Sequence, residues 1–159
     1  MTAPTANSLK TCRILLIEDE RIIREVLHRD FAMIGVAEVD SYSTAEAGWE
    51  ELTGRKGGRF DVVIVDLVLP GASGQVLIKN LRSLPGPRAK SLPVIVLTGE
   101  NSPETYKQIE PLGISSYLIK PVSADVLKAA VEKALSGHLA RTRPTPSPAI
   151  HAKPGLFGF

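Results

Sequence analysis

The sequence predicts an α/β domain built on a five-stranded, doubly wound parallel sheet with five helices packed on its two faces. Three observations predict it. Short apolar runs alternate with stretches of helical spacing, five of each along 159 residues, and parallel neighbours need such crossovers. One run, Val62-Val63-Ile64-Val65 in FDVVIVDLVLP, is apolar without interruption, as a strand covered on both faces must be. Lastly, the runs end in polar residues, Glu18-Asp19, Asp66 and Thr98, where an open parallel sheet has its ligand crevice.

The elements follow in order. Arg13 to Ile17 forms a strand ending in Glu18-Asp19-Glu20, and Ile22, Ile23, Val26, Leu27, Phe31 and Ile34 then keep one helical face that Gly35 ends. Val36 to Tyr42 alternates like a strand. Ser43 with Glu46 three residues later is a capping-box pattern opening the helix of Trp49 and Leu52. The loop TGRKGGR, Thr53 to Arg59, is Gly-rich and basic, but it lacks Gly-Lys-Ser/Thr before a helix and enters the amino end of a strand. It reads as a solvated turn. After Asp66, PGASG makes a tight loop before a helix from about Gln75 to Leu84, and PGPRAKSLP, 85–93, reads as an inserted surface loop. Val94 to Leu97 is the fourth strand. Ser102-Pro103-Glu104 starts a helix that Pro111 ends early. Ser116 to Ile119 is the fifth strand and leads into Lys120-Pro121. Ser123 caps the last helix, whose apolar face runs from Val126 to Leu135, and Gly137 is placed to stop it.

Composition narrows the function classes. A hydrophobic share of 43% supports a real core. The net charge of +2 is misleading, because removing Arg141, Arg143 and Lys153 from the 19 basic residues leaves 16 against 17 acidic ones over 1–137. A near-neutral domain argues against direct DNA binding. MTAPTANSLK lacks the apolar core of a signal peptide and the apolar runs are strand-sized, so no membrane insertion is expected. Lone Cys12 fits a reducing, cytoplasmic setting. The chain divides into a leader (1–10), one domain (11–137) and a Pro-rich basic tail (138–159). That tail has four prolines, no helical periodicity and no acid, and reads as disordered. Its Leu156, Phe157 and Phe159 are an apolar stretch able to dock on a partner.

The strand-end residues carry the chemistry. Three clustered carboxyl groups repel one another unless a cation answers them. Mg²⁺, or Mn²⁺, suits Asp19 and Asp66 as direct ligands with Glu18 through water. Lys120 beside a dication makes sense with an anion present, and a phosphoryl group is that anion. Thr98 can donate to a phosphoryl oxygen, and Asp66 can be the nucleophile that forms an acyl phosphate.

With LLIEDE, VVIVDLVLPGASG, VIVLTG and YLIKP in this order, residues 11–137 resemble the receiver domain of bacterial two-component response regulators. The resemblance implies a flavodoxin-like sheet of order 2-1-3-4-5, with Asp66 phosphorylated by a histidine kinase or histidine phosphotransfer protein. It implies that Glu18 and Asp19 form the acidic pair and that the Val68 backbone carbonyl joins the metal shell. Lys120 then contacts the phosphoryl group ahead of a cis Pro121, Thr98 and Tyr117 form the switch pair, and Val68 and Glu100 tune phosphoryl lifetime. When Thr98 moves toward the phosphoryl group, Tyr117 fills the space it leaves, which couples the site to a protein target on the 103–137 face. The tail is too short for a DNA-binding output domain, so a stand-alone receiver with no separate output enzyme is expected. The rivals are a phosphorylation-independent interaction module of the same fold and a flavodoxin-like redox protein. The acidic first loop would repel the phosphate that a flavin brings.

Overall fold

A computed structural model of the protein describes residues 6–55 and 57–141. Strands β1 (Arg13–Ile17), β2 (Glu38–Tyr42), β3 (Val62–Val65), β4 (Val94–Thr98) and β5 (Ser116–Ile119) form one sheet in the order β2-β1-β3-β4-β5. Every pairing is parallel. This is the expected order.

Side chains alternate across the pleat, so the three inner strands feed two cores. Ile14, Leu16, Val62, Ile64, Ile95 and Leu97 face α2 (Arg21–Ile34) and α7 (Ala124–Arg141), meeting Leu27, Phe31, Leu127 and Val131. Leu15, Ile17, Val63, Val65, Val94 and Val96 face the other layer, where α3 (Ala45–Thr53) and α4 (Gly74–Ser83) supply Trp49, Leu52, Leu77 and Leu81. All four residues of β3 are fully buried. That is the physical reason its sequence shows no polar alternation.

Seven α-helices are present among the described residues, five of them of seven residues or more. The two short ones correct the expected loops. In the leader, α1 (Ala6–Thr11) buries Leu9 against the α2 and α7 side, and the Leu9 carbonyl accepts from Cys12 and Ala37. Within PGPRAKSLP, Gly86 at φ 96° turns the chain so that Pro87 opens α5 (Pro87–Ser91), and Ala89 enters the core. A side chain at Gly86 would be strained in that left-handed region. Buried Arg88 donates to the Phe60 carbonyl at 2.6 Å, so the insertion is a packed element and not a loose loop.

Three further boundaries differ from expectation. Thr44, not Ser43, caps α3, its Oγ1 accepting from Ala47 N at 3.1 Å. Strand β2 begins at Glu38, and α7 continues through Gly137 to Arg141. A glycine inside a helix costs only about 1 kcal/mol against alanine, too little to stop one anchored by packing. The remaining tail, 142–159, and residues 1–5 and 56 lie outside the described residues. The expected solvated turn at 53–59 instead carries a 3-10 turn, Gly57–Arg59, whose Arg59 donates to Asp40 Oδ2 at 2.6 Å. Gly35 ends α2, Ser123 accepts from Val126 N, and α6 (Pro103–Ile109) gives way to a 3-10 turn, Glu110–Leu112, at Pro111, as expected. No helix among the described residues is long and apolar enough to cross a membrane.

Arg82 at the end of α4 stitches two segments together. Its guanidinium donates to the carbonyls of Ala89 and Leu92 around α5 and to those of Leu112 and Gly113 beyond α6, at 2.9 to 3.1 Å. Charged donors on carbonyls are worth roughly 1.5–3 kcal/mol each at most, less where water competes. Arg82→Ala is therefore expected to lower unfolding free energy by about 1–3 kcal/mol in urea titrations; a change under about 0.5 kcal/mol contradicts this.

Candidate functional site

The site is built by backbone bonds that continue the sheet past its strands. Glu18 N donates to Tyr42 O at 3.0 Å, Asp66 N to Ile17 O at 3.1 Å, and Lys120 N to Thr98 O at 2.9 Å. These bonds fix the residues that follow each strand on one edge of the sheet. Helix α4 starts so close to this edge that a Cβ at Gly74 would overlap the Asp66 carbonyl oxygen. Glycine is required there by contact.

The structure brings Glu18, Asp19, Asp66 and Lys120 together. Ligand oxygens of the three carboxylates lie within 4.8 Å of one another. The Lys120 ammonium sits 2.5 Å from Glu18 Oε2 and 2.6 Å from Asp66 Oδ2. Glu18 is 1% exposed and Asp66 5%, whereas Asp19 is open to solvent. One positive group thus answers three negative ones, two of them buried. Burial is the main force raising the Glu18 pKa above its ordinary value, against the hydrogen bonds from Lys120 and Glu20 that lower it. Burial pushes Lys120 down, but its bonds to the Asp66 and Glu18 carboxylates outweigh that and hold its pKa above the usual lysine value.

This donor set fits a hard dication. It offers oxygen ligands alone, close enough to share one ion, and carries two negative charges that the lysine leaves unanswered. Val68 lies at the mouth, where its backbone N–H donates to Asp66 Oδ1 at 3.0 Å and its side chain points to solvent.

Thr98 and Tyr117 are placed beside this cluster without touching its carboxylates. Thr98, fully buried at the end of β4, accepts from Glu100 N at 3.2 Å through its hydroxyl. Tyr117 on β5 donates to the Glu100 carbonyl at 2.9 Å and meets the Tyr106 ring edge-on at 5.3 Å. Both residues thus hold the same turn, Gly99 to Glu100. Burial first, then the negative charges of Glu100 and Asp66, raises the Tyr117 pKa. The Lys120-Pro121 bond is cis, as the resemblance implied.

Three supporting residues were not legible as such. Arg24, one turn into α2, donates to the Glu18 and Asp19 carbonyls at 2.7 and 2.8 Å and so pins the acidic loop. Glu46, read as a capping residue, instead accepts from Ala72 N at 3.0 Å and ties down the loop after Asp66. Gly74 stood within PGASG, where a tight turn masked its packing role. An arginine six residues past an acidic pair was the available signal for the first; the other two left none.

Comparison with known proteins agrees with this geometry. Residues 14–132 match the family model described as Response regulator receiver domain. Chemotaxis protein CheY of Pseudomonas aeruginosa is 33% identical over 125 residues, covering 76% of this chain and 94% of that protein. Chemotaxis protein CheY-3 of Vibrio cholerae is 33% identical over 128 residues, covering 78% of this chain and 92% of that one. A CheY-like receiver domain protein from Methanospirillum hungatei superposes with a TM-score of 0.73 at 22% identity, covering 82% of this chain and 98% of that structure.

The raised Glu18 pKa has a defined sign. A carboxyl group whose folded pKa exceeds its unfolded one favours the folded state when protonated, and that contribution is lost as pH rises from the ordinary glutamate value through the raised one. Glu18→Gln escapes this loss. In metal-free buffer the variant should gain stability over wild type at about pH 7 and much less at about pH 4, read from unfolding midpoints; an equal difference at both contradicts the assignment.

Proposed function

The chain belongs to the response regulator receiver domain family of two-component signalling, and from that premise we propose that it carries a transient phosphoryl group on Asp66. One observation carries the reading: a buried aspartate at the end of the central strand, with a lysine ammonium 2.6 Å away and two more carboxylates around it. A carboxylate oxygen of Asp66 attacks the phosphorus of a phosphohistidine on a histidine kinase or histidine phosphotransfer protein. The new O–P bond forms as the P–N bond breaks, and the electron pair returns to the donor imidazole. Lys120, close to Asp66 already, meets the negative oxygens of the transferred group. Glu18, Asp19, Asp66 and the Val68 carbonyl would hold a Mg²⁺ or Mn²⁺ ion, which supplies further neutralisation of that charge when bound. Later attack by water on phosphorus breaks the O–P bond and returns the carboxylate with inorganic phosphate.

The output is a protein contact. Thr98 Oγ1 accepts from Glu100 N, and Tyr117 binds the Glu100 carbonyl, so a Thr98 hydroxyl drawn to the phosphoryl group moves a turn that Tyr117 also holds. The face that reads this change runs over 103–137, where Tyr106 packs on Tyr117. A ligand-driven shift of this kind is limited by its differential affinity for the two states. The near-neutral charge over 1–137 supports protein partners over DNA.

Incubation with acetyl phosphate and Mg²⁺ should add one phosphoryl group to the intact mass, and the gain should vanish in Asp66→Ala and in chelator. Gain that persists in Asp66→Ala overturns the reading. So does its absence with both acetyl phosphate and a phosphorylated histidine phosphotransfer protein as donors. In Thr98→Ala the mass gain should remain, while the phosphorylation-dependent shift in the Tyr106 and Tyr117 ring resonances should be lost. An undiminished shift removes Thr98 from the switch.

A further inference from the structure

A groove of about 170 Å³ opens between α2 and the turn from β5 into α7, with Lys120 in its lining. Ile22, Ile23, Val26 and Val122 line it, with Asp30 and Lys120 as its charged groups. Ile22 is 75% exposed and Val26 39%, and Val126 adds apolar surface on the neighbouring turn of α7. Exposed apolar clusters of this kind mark contact sites. The volume is close to that of an apolar cavity of roughly 150 Å³ known to take a benzene ring. Lys120 is already engaged by Glu18 and Asp66, whereas Asp30 makes no hydrogen bond or ion pair among the described residues.

The chain itself holds a matching ligand. Two of its four phenylalanines, Phe31 and Phe60, fill the core, and the other two stand in Leu156-Phe157-Gly158-Phe159. Residues 142–159 contain Arg143 and Lys153 and no acidic side chain, so their side-chain charge is opposite in sign to that of Asp30. Reach is sufficient. Helix α7 has 18 residues and is therefore about 27 Å long, and the groove lies at its start beside Val122. Leu156 follows Arg141 by about 15 residues, a span of up to roughly 50 Å when extended. A tether of that length keeps a ligand at an effective concentration on the order of millimolar.

We infer that Leu156 to Phe159 returns along α7 and seats a phenyl ring in the groove between α2 and the β5–α7 turn, with Lys153 answering Asp30. The groove is thus an intramolecular docking site, and any partner that uses this apolar patch must displace the segment.

A nitroxide on Gly158→Cys in the full chain tests this directly. Cys12 is buried, and its thiol pKa is pushed up to about 12 by burial and by Asp61, so it stays unlabelled. Methyl resonances of Ile22, Val26 and Val122 should lose most of their intensity in dilute protein, and reduction of the label should restore them. The loss should disappear in Val26→Asp, and in Ile22→Asp if the first variant folds poorly. Full methyl intensity in the labelled chain overturns the inference, as does a loss that survives both groove variants. Broadening seen only when spin-labelled chains are mixed with isotope-labelled, unlabelled-tail chains overturns it too, since the occupant is then a second copy.

Discussion

The bridge that Lys120 makes between Glu18 and Asp66 is the interaction on which the functional edge of this fold depends. Two carboxylates buried beyond nine-tenths cannot stand side by side without an answering charge, and the ammonium supplies it at 2.5 and 2.6 Å. The bridge joins the ends of β1, β3 and β5, three strands that do not all neighbour one another. It leaves the cluster negative by two charges once Asp19 is counted. Buried ion groups of this kind are poor sources of stability. Their placement makes sense as a site held ready for a cation and an anion together, which neither three carboxylates nor a lysine alone would accept.

The fold supplies the rigidity this requires. Ladder hydrogen bonds run one residue past β1, β3 and β5, at Glu18, Asp66 and Lys120, so the side chains of the clustered site spring from backbone as fixed as the sheet. Around them the loops are pinned individually: Arg24 holds the carbonyls after β1, Glu46 holds the turn after β3, and Gly74 lets α4 begin against Asp66. The Gly99–Glu100 turn after β4 is held differently, by Thr98 from inside and Tyr117 from outside. Among these strand-end loops it is the one tied to a surface aromatic pair, which suits it to carry a signal outward.

What the sequence disclosed follows from the range of the interactions involved. Buried central strands announce themselves through unbroken apolar runs, and a carboxylate ending such a run has few structural reasons to be there; Val62 to Asp66 could therefore be read without coordinates. Caps and helix ends were less legible. Ser43 and Thr44 can both cap, and only the bond from Ala47 N to the Thr44 hydroxyl shows which one does, while Glu46 is drawn to Ala72 N instead of closing a capping box. PGPRAKSLP looked like a loop by composition, yet Arg88 reaching Phe60, Arg82 holding the Ala89 and Leu92 carbonyls, and buried Ala89 and Leu92 make it part of the core layer, while Arg82 also reaches the segment beyond α6. Such contacts join residues seven to thirty-one positions apart, and no local pattern encodes them.

On the function proposed for them, the strand-end carboxylates form one cation site with the lysine as internal counter-charge. A calorimetric titration of Mg²⁺ into wild type and Asp19→Asn decides whether they do, because Asp19 is exposed and takes no part in the lysine bridge. One saturating site in wild type, weakened at least about tenfold in a variant of unchanged unfolding midpoint, is the expected result. Equal binding by the two proteins, or binding with no single stoichiometry, would contradict it.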